Sequence, residues 1–477
     1  MPSSSAVLPR LTRRNFMKTA GAAAAAVAGS SVLPGLSLAD VRTFPAGFLW
    51  GVAGSAAETE SRQGRGRSNW DVFIDDIGGS RDGSTNVRNT EFETRYQDEF
   101  RQLRDAGVNG FRFSFSWPRI QPEAAGAPNA AGLAVYDRIV DSMLEHGLEP
   151  YGTAFHWDVP VWAGDFRDRD MVHRMAEYVD ILTRKFGDRI SNWLMFNEPC
   201  ALATFGYAFG TYAPGYRSRE ALGAAIHHIN LAQGLAFAAA RANLPSGTRV
   251  SSAFNVQPAV AVSGKAEDIA AARFMDELWN WAFLDPVYGK GYPDLIAPLA
   301  APFVQAGDLD VIAAKPDFLG ANFYSRIFTR ANPDSVIDFA LDAPPAGMEK
   351  TEMSPVDPQG FLDMLLMLHE RYDAPEMVVT EIGFAVDEPL PHDGIVEDSA
   401  RVGYIRSYLD TAHEAYARGV NLKGIIYWSS TDNWEWVEGF AKRFGLIHID
   451  HATLARIPKR SLEYWGRCSK ANAVLSP

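Results

Sequence analysis

Two carboxylic acids close apolar runs that read as buried strands. Glu198 follows Trp193 to Phe196 in "NWLMFNEPC", and Glu381 follows Met377 to Val379 in "MVVTEIGF". Pro199, directly after the first acid, cannot continue a ladder of sheet hydrogen bonds. Gly383, shortly after the second, would permit a tight turn. Two carboxyls across one cavity suit glycoside hydrolysis, where one attacks the anomeric carbon and the other protonates the leaving oxygen and then activates water. The roles demand different pKa values, an ionised nucleophile and a protonated acid. Arg112 carries a fixed charge that would hold a nucleophile ionised. Trp157, Trp428, Trp434 and Trp436 offer flat apolar faces to a sugar ring, although Trp434 would serve equally as packing. The plainer reading of Glu198 and Glu381 is a structural ion pair near a strand end.

Such groups need a frame, and the chain repeats one pattern throughout. Short runs rich in aromatic and β-branched residues occur at Phe48–Ser55, Gly110–Trp117, Glu149–Trp157, Ser191–Asn197, Arg249–Asn255, Asp317–Tyr324, Glu376–Phe384 and Leu422–Ser429. Between them lie amphipathic stretches, such as "FETRYQDEFRQLRDAGV", in which Tyr96, Phe100, Leu103 and Val108 fall near one helical stripe. Eight strands, each followed by helical material, make the pattern of an α/β chain folded as a single (β/α)8 TIM barrel. An open doubly wound sheet would show a glycine-rich phosphate turn after its first strand, where this chain reads "GSAAETES".

In such a barrel the C-terminal strand ends converge on one face, which carries the active site. Reading those ends gives Glu58, Arg112, His156 with Trp157, Asn197 with Glu198, Asn322 with Tyr324, Glu381, and Trp428 running toward Glu435 and Trp436. Stability alone would not call for so many buried polar groups, because each costs free energy unless paired. Asn322 reads equally as a site residue or as an amide tying down a loop. The pair His227–His228 sits in a helical stretch and reads as a partly exposed helix face.

The composition is that of a globular protein, with 47% hydrophobic residues, 40 Gly and 28 Pro in 477 residues. Residues 1–39 read as a signal peptide: "TRRNFMK", an alanine-rich run, then "SLAD". Arg13 and Arg14 give it a twin-arginine character, which predicts export of an already folded protein to the periplasm or beyond. Residues 40–477 are then the catalytic domain, and cutting after Ala39 takes the formal charge from −13 to −17. The acidic balance argues against nucleic-acid phosphate as a partner. No later run reaches the roughly 18 apolar residues of a membrane span. Cys200 and Cys468 are read as unpaired thiols, and no metal-ligand spacing is present.

Taken together, "FPAGFLWG", "FRFSFSWPRI", "GLEPYGTAFHWDVP", "MFNEP", "GANFY", "VTEIG" and "YWSSTDNWEWVEGFAKRFGL" resemble glycoside hydrolase family 1, the retaining β-glucosidase family, over nearly the whole chain after residue 40. The resemblance implies that Glu198 is the general acid/base and Glu381 the nucleophile. It implies that Asn197 binds the 2-hydroxyl of the sugar and that Arg112 and Tyr324 contact the nucleophile. It directs His156 at the 3-hydroxyl, sets Trp428 beneath the ring, and has Glu435 and Trp436 read the outer hydroxyls. It implies a small β-glycoside as substrate, with no cofactor and no metal. A transglycosidase would use the same covalent intermediate, and a sugar-binding protein on a retired barrel would need neither acid.

Two segments depart from the family pattern. Glu58 stands where the family has a glutamine that bonds the outer ring hydroxyls, and Ala57 replaces a tyrosine. An ionised carboxylate only accepts hydrogen bonds, whereas an amide also donates. Glu58 is thus expected either to select a glycon with a donor-rich or cationic group, to weaken glucose binding, or to pair locally with an arginine and point away. Ile382 replaces an asparagine after the nucleophile and is expected to make the surroundings of Glu381 more apolar. Glu435 stands where the phospho-β-glycosidase branch generally has serine, which argues against a sugar-6-phosphate.

Overall fold

The computed structural model describes residues 42–351 and 353–477; the signal-peptide expectation falls outside them. Eight parallel strands close into a barrel: β1 Leu49–Ala53, β2 Gly110–Ser114, β3 Glu149–Phe155, β4 Asn192–Asn197, β5 Arg249–Asn255, β6 Leu319–Asn322, β7 Met377–Gly383 and β8 Leu422–Trp428. They pair in chain order, and β8 closes on β1. Each lies inside one of the eight predicted runs. β1 and β7 are buried along their whole length, as expected of strands covered on both sides.

Amphipathic helices wrap the barrel. Helix Phe92–Ala106 buries Phe92, Tyr96, Phe100 and Leu103, and Gly107 ends it at φ 110°. Helices Ala130–Glu145, Met171–Phe186, Pro358–Arg371, Ser399–Ala417 and Arg460–Ala471 follow the same logic. Helix Arg219–Asn243 is different, because it is buried on most of its circumference. His227 and His228 are therefore not on an exposed face: His227 Nε2 lies 2.9 Å from Asp308 Oδ2, and His228 Nδ1 lies 2.8 Å from the carbonyl of Phe166. The small residues of this helix, Gly223 and Gly234 among them, let neighbouring backbone approach; a Cβ on Gly234 would lie 2.3 Å from the carbonyl oxygen of Val311. Close packing on several sides buries the imidazoles.

The insertion after β6 folds over the barrel mouth. Strand Ile327–Ala331 pairs with Phe339–Leu341 and with Ala259–Ala261. The chain ends are tied together by Arg42–Thr43 against Ala473–Val474. Cys200 and Cys468 are buried and unpaired. Among the described residues no helix is long and apolar enough to cross a membrane.

Candidate active site

Both strands that carry the central acids break register just before them. The β4–β5 ladder shifts between Leu194 and Asn197, and the β7–β6 ladder between Val379 and Glu381. Such irregularities re-aim side chains at strand ends. Glu198 then takes φ 42°, in the left-handed region, and Pro199 opens the short helix Pro199–Ala203. Trp157 (φ 72°) and Trp436 (φ 48°) share that conformation, which is costly for a bulky side chain and is held here by the packed mouth of the barrel. Gly383 plays a different part from the expected tight turn. It stays in β7, where an added Cβ would lie 2.5 Å from the carbonyl oxygen of Trp428. Its missing side chain lets β7 and β8 close together beneath the site.

A cavity of about 340 Å³ opens at the C-terminal strand ends. Glu58, His156, Trp157, Asn197, Glu198, Tyr324, Glu381, Trp428, Glu435 and Trp436 all line it. Arg112 and Asn322 sit just beneath as hydrogen-bond donors. Arg112 is buried and donates through Nη1 to Glu381 Oε1, through Nη2 to Asn197 Oδ1 at 2.6 Å, and through Nε to Thr153 Oγ1 at 3.1 Å. Tyr324 Oη donates to the other Glu381 oxygen at 2.7 Å. Glu198 Oε1 accepts from two neutral amides, Asn322 Nδ2 at 2.8 Å and Asn255 Nδ2 at 2.9 Å. Asn197 Nδ2 donates to His156 Nε2 at 2.9 Å, which places the imidazole proton on Nδ1.

These partners treat the two acids unequally. Burial, and then the charge of Glu381, push Glu198 up to about 8. Burial also raises Glu381, but there the charge of Arg112 and the hydrogen bond of Tyr324 pull the other way. When one of the pair ionises, Glu381 is the better placed to do so. Burial and the nearby Arg112 charge hold His156 well below its usual range, so the ring stays neutral.

The remaining positions resolve as follows. Glu58 does not pair with an arginine or point away. It is buried on the cavity wall, accepts a hydrogen bond from Ser55 Oγ, and has Oε2 3.9 Å from His156 Nε2. Trp434 is packing: fully buried and outside the cavity wall, it meets Trp70 edge-on at 6.2 Å and supports Trp436. Ile382 belongs to the core behind β7 and not to the wall, because neighbouring residues on a strand face opposite sides. Asn322 is bound into the site by Glu198, Asn197 and Thr380 Oγ1.

Sequence reasoning passed over Asn255, although it ends β5 as Asn322 ends β6, and the same signal of a polar strand terminus marks both. It also passed over Trp279, whose indole nitrogen lies 3.4 Å from Asn255 Oδ1, and over Tyr212 and Phe205 on the same wall. These three come from helical and loop segments whose placement no strand-end rule supplies.

A closed eight-stranded barrel with two carboxyls and sugar-sized aromatic walls at its C-terminal face defines an α/β-barrel glycosidase. The model of the glycosyl hydrolase family 1 matches residues 40–474, and the chain belongs to that family. The beta-glucosidase A of Thermotoga maritima is 35% identical over 446 residues, covering 91% of this chain and 99% of the relative. A bifunctional beta-D-glucosidase/beta-D-fucosidase of Bifidobacterium breve is 35% identical over 456 residues, covering 89% and 97%. The solved structure of the Thermotoga maritima beta-glucosidase in complex with deoxynojirimycin superposes with a TM-score of 0.85 at 35% identity, covering 91% of this chain and 100% of that one.

Proposed function

We propose that this protein is an exported, retaining β-glycosidase that removes the terminal sugar of small β-glucosides or related β-glycosides. The observation that carries this reading is the unequal dressing of the two acids, with Glu381 held by a guanidinium and a phenol and Glu198 held by neutral amides only. In the first step the Glu381 carboxylate attacks the anomeric carbon. The bond from that carbon to the aglycone oxygen breaks, and Glu198 gives its proton to that oxygen. In the second step the Glu198 carboxylate takes a proton from water, the water oxygen bonds to the anomeric carbon, and Glu381 leaves as a carboxylate. Asn197, fixed by Arg112 and Asn322, faces the sugar beside Glu198, while His156 accepts from Asn197 and faces the ring. Trp428 provides the platform, and Glu58, Glu435 and Trp436 line the outer end. The names of the relatives and the inhibitor bound to one of them support a glucoside-like glycon.

Release of nitrophenol from a panel of nitrophenyl β-glycosides, compared with Glu381→Ala, tests the reaction. Turnover of at least one glycoside, lost in the variant, with the β-anomer released first in proton NMR, is the expected result. First release of the α-anomer would overturn the retaining mechanism. Export rests on Arg13 and Arg14. Replacing both with lysine is expected to leave the activity inside the cell, and an unchanged distribution would sink the twin-arginine reading.

A further inference from the structure

The reaction uses two carboxyls, yet four buried ones line the cavity. Glu58 and Glu435 are buried on its wall with Glu198 and Glu381, and Glu58 Oε1 and Glu435 Oε2 have no hydrogen-bond partner among the described residues. The cations nearby are already engaged. Arg112 spends its hydrogen bonds on Glu381, Asn197, Thr153 and the carbonyl of Thr380, and Arg326 at the rim is bound to Asp357. His156 Nε2, 3.9 Å from Glu58, accepts from Asn197 and so presents no proton to the carboxylate. Burial and the charge of Glu435 push Glu58 well up, the behaviour of an acid that lacks a counter-charge.

We infer that the site is built for a β-glycoside whose glycon carries a free amino group, held as an ammonium between Glu58 and Glu435. The inference rests on the glycosidase reading of the same cavity and names its substrate class. Between the two carboxyls an ammonium offers three donors and a positive charge that favours their ionised, acceptor-only form, their protons passing to solvent, whereas a hydroxyl offers one hydrogen and no charge. A divalent metal is the weaker occupant: Glu58 and Glu435 belong to no converging group of three ligand atoms among the described residues.

The wall also orders the ring positions. Asn197 adjoins Glu198 in the chain, and His156 Nε2 lies 2.9 Å from Asn197 Nδ2 and 3.9 Å from Glu58 Oε2. The resemblance to family 1 directs Asn197 at the 2-hydroxyl and His156 at the 3-hydroxyl, and a sugar seated that way turns its far side toward Glu58. The amino group therefore belongs on C3 or C4, and not on C2.

The test compares kcat/KM for nitrophenyl β-glucoside with its 2-amino, 3-amino and 4-amino deoxy analogues, at a pH where the amines are protonated, in the wild-type chain and in Glu58→Gln. The 3-amino or 4-amino compound is expected to exceed the plain glucoside by about tenfold or more, a charge-assisted hydrogen bond's worth. In Glu58→Gln the ratio of that compound to the plain glucoside should fall to about one or below, whatever the variant's rate on the plain glucoside. Preference for the plain glucoside in the wild type, or a ratio that Glu58→Gln leaves unchanged, would overturn the inference. Calorimetry with 1,5-anhydroglucitol and its 3-amino and 4-amino forms, which contain no bond to cleave, separates the two readings. Tighter binding of an amino form without turnover of any glycoside would uphold the amine site and refute the hydrolase. Turnover of the plain glucoside with no tighter binding of the amines would do the reverse.

Discussion

Beyond the end of β7, the side chains of Glu388, Asp398 and Asp432 are buried against Arg401, Lys459 and Arg443, with His448 beside them. Lys459 Nζ sits 2.7 Å from both Glu388 and Asp432. At the barrel mouth Glu58, Glu198, Glu381 and Glu435 are all buried, but among the described residues the one ion pair they make with an arginine or lysine is that of Arg112 with Glu381. The consequences are opposite. Burial alone would raise Glu388, yet the His448 hydrogen bond and the charges of Lys459 and Arg401 bring it down to about 2. Burial and the neighbouring Glu381 carry Glu435, like Glu198, up to about 8. A balanced cluster fastens the C-terminal segment to the barrel. An unbalanced one is left to be completed by a proton or a substrate.

The largest expected effect lies at the mouth. With Glu381 as the proposed nucleophile, Glu381→Gln should lower kcat/KM by at least about 10^4-fold, since nucleophile and proton donor would act as one unit. Equal rates in steady-state assays would place the chemistry elsewhere. Glu198→Gln should cost about 10²–10⁴-fold on alkyl glycosides and far less on glycosides with acidic leaving groups. Its urea midpoint should stay level or rise, because the glutamine needs no counter-charge. A marked fall in that midpoint would make Glu198 structural and erase the contrast between the clusters.

At the balanced cluster the expectation inverts. Lys459→Met leaves Glu388 and Asp432 short of a cation and should cost about 3–5 kcal/mol in urea unfolding, with kcat of the folded fraction kept. The stability contributed by Glu388 is present above its ordinary 4.5 and is lost as pH falls through about 2. In Lys459→Met that acid loss should begin at higher pH. A variant as stable as wild type would show that the cluster fastens nothing. The smallest effect is reserved for Trp434→Phe, expected to change KM by no more than about twofold and stability by roughly 1 kcal/mol. A tenfold rise in KM would return Trp434 to the binding wall.

The barrel was legible because each strand is a short run dominated by apolar and aromatic residues, with amphipathic stretches between. Where predicted runs overshoot, as Gly110–Trp117 does for β2, aromatic residues continue past the strand into the helix Trp117–Ile120. The central acids were legible because a carboxylate at the end of such a run has few structural uses. What a linear reading misses is contact between elements distant in sequence. Asn255 acquires meaning only once β5 lies beside β4, and Trp279 and the rim residues Leu341 and Met353 only once the insertions fold over the mouth. His227 and His228 were misread because a polar pair on a helix gives no hint that Asp308 and Phe166 will cover it. The charge balance of each cluster likewise depends in part on distant partners, such as Lys459 for Glu388 and Arg112 for Glu381.

The central claim is that burial and Glu381 keep Glu198 protonated for donation to the leaving oxygen. Its most direct test is the pH profile of kcat/KM on the best alkyl β-glycoside, in wild type and in Glu198→Gln. An acid held at about 8 is protonated below that pH and lost above it, so the wild-type rate should fall about tenfold per pH unit beyond pH 8. In Glu198→Gln that alkaline limb should be absent from the residual activity. The same limb in both proteins would show that another group carries the proton, and would contradict the account.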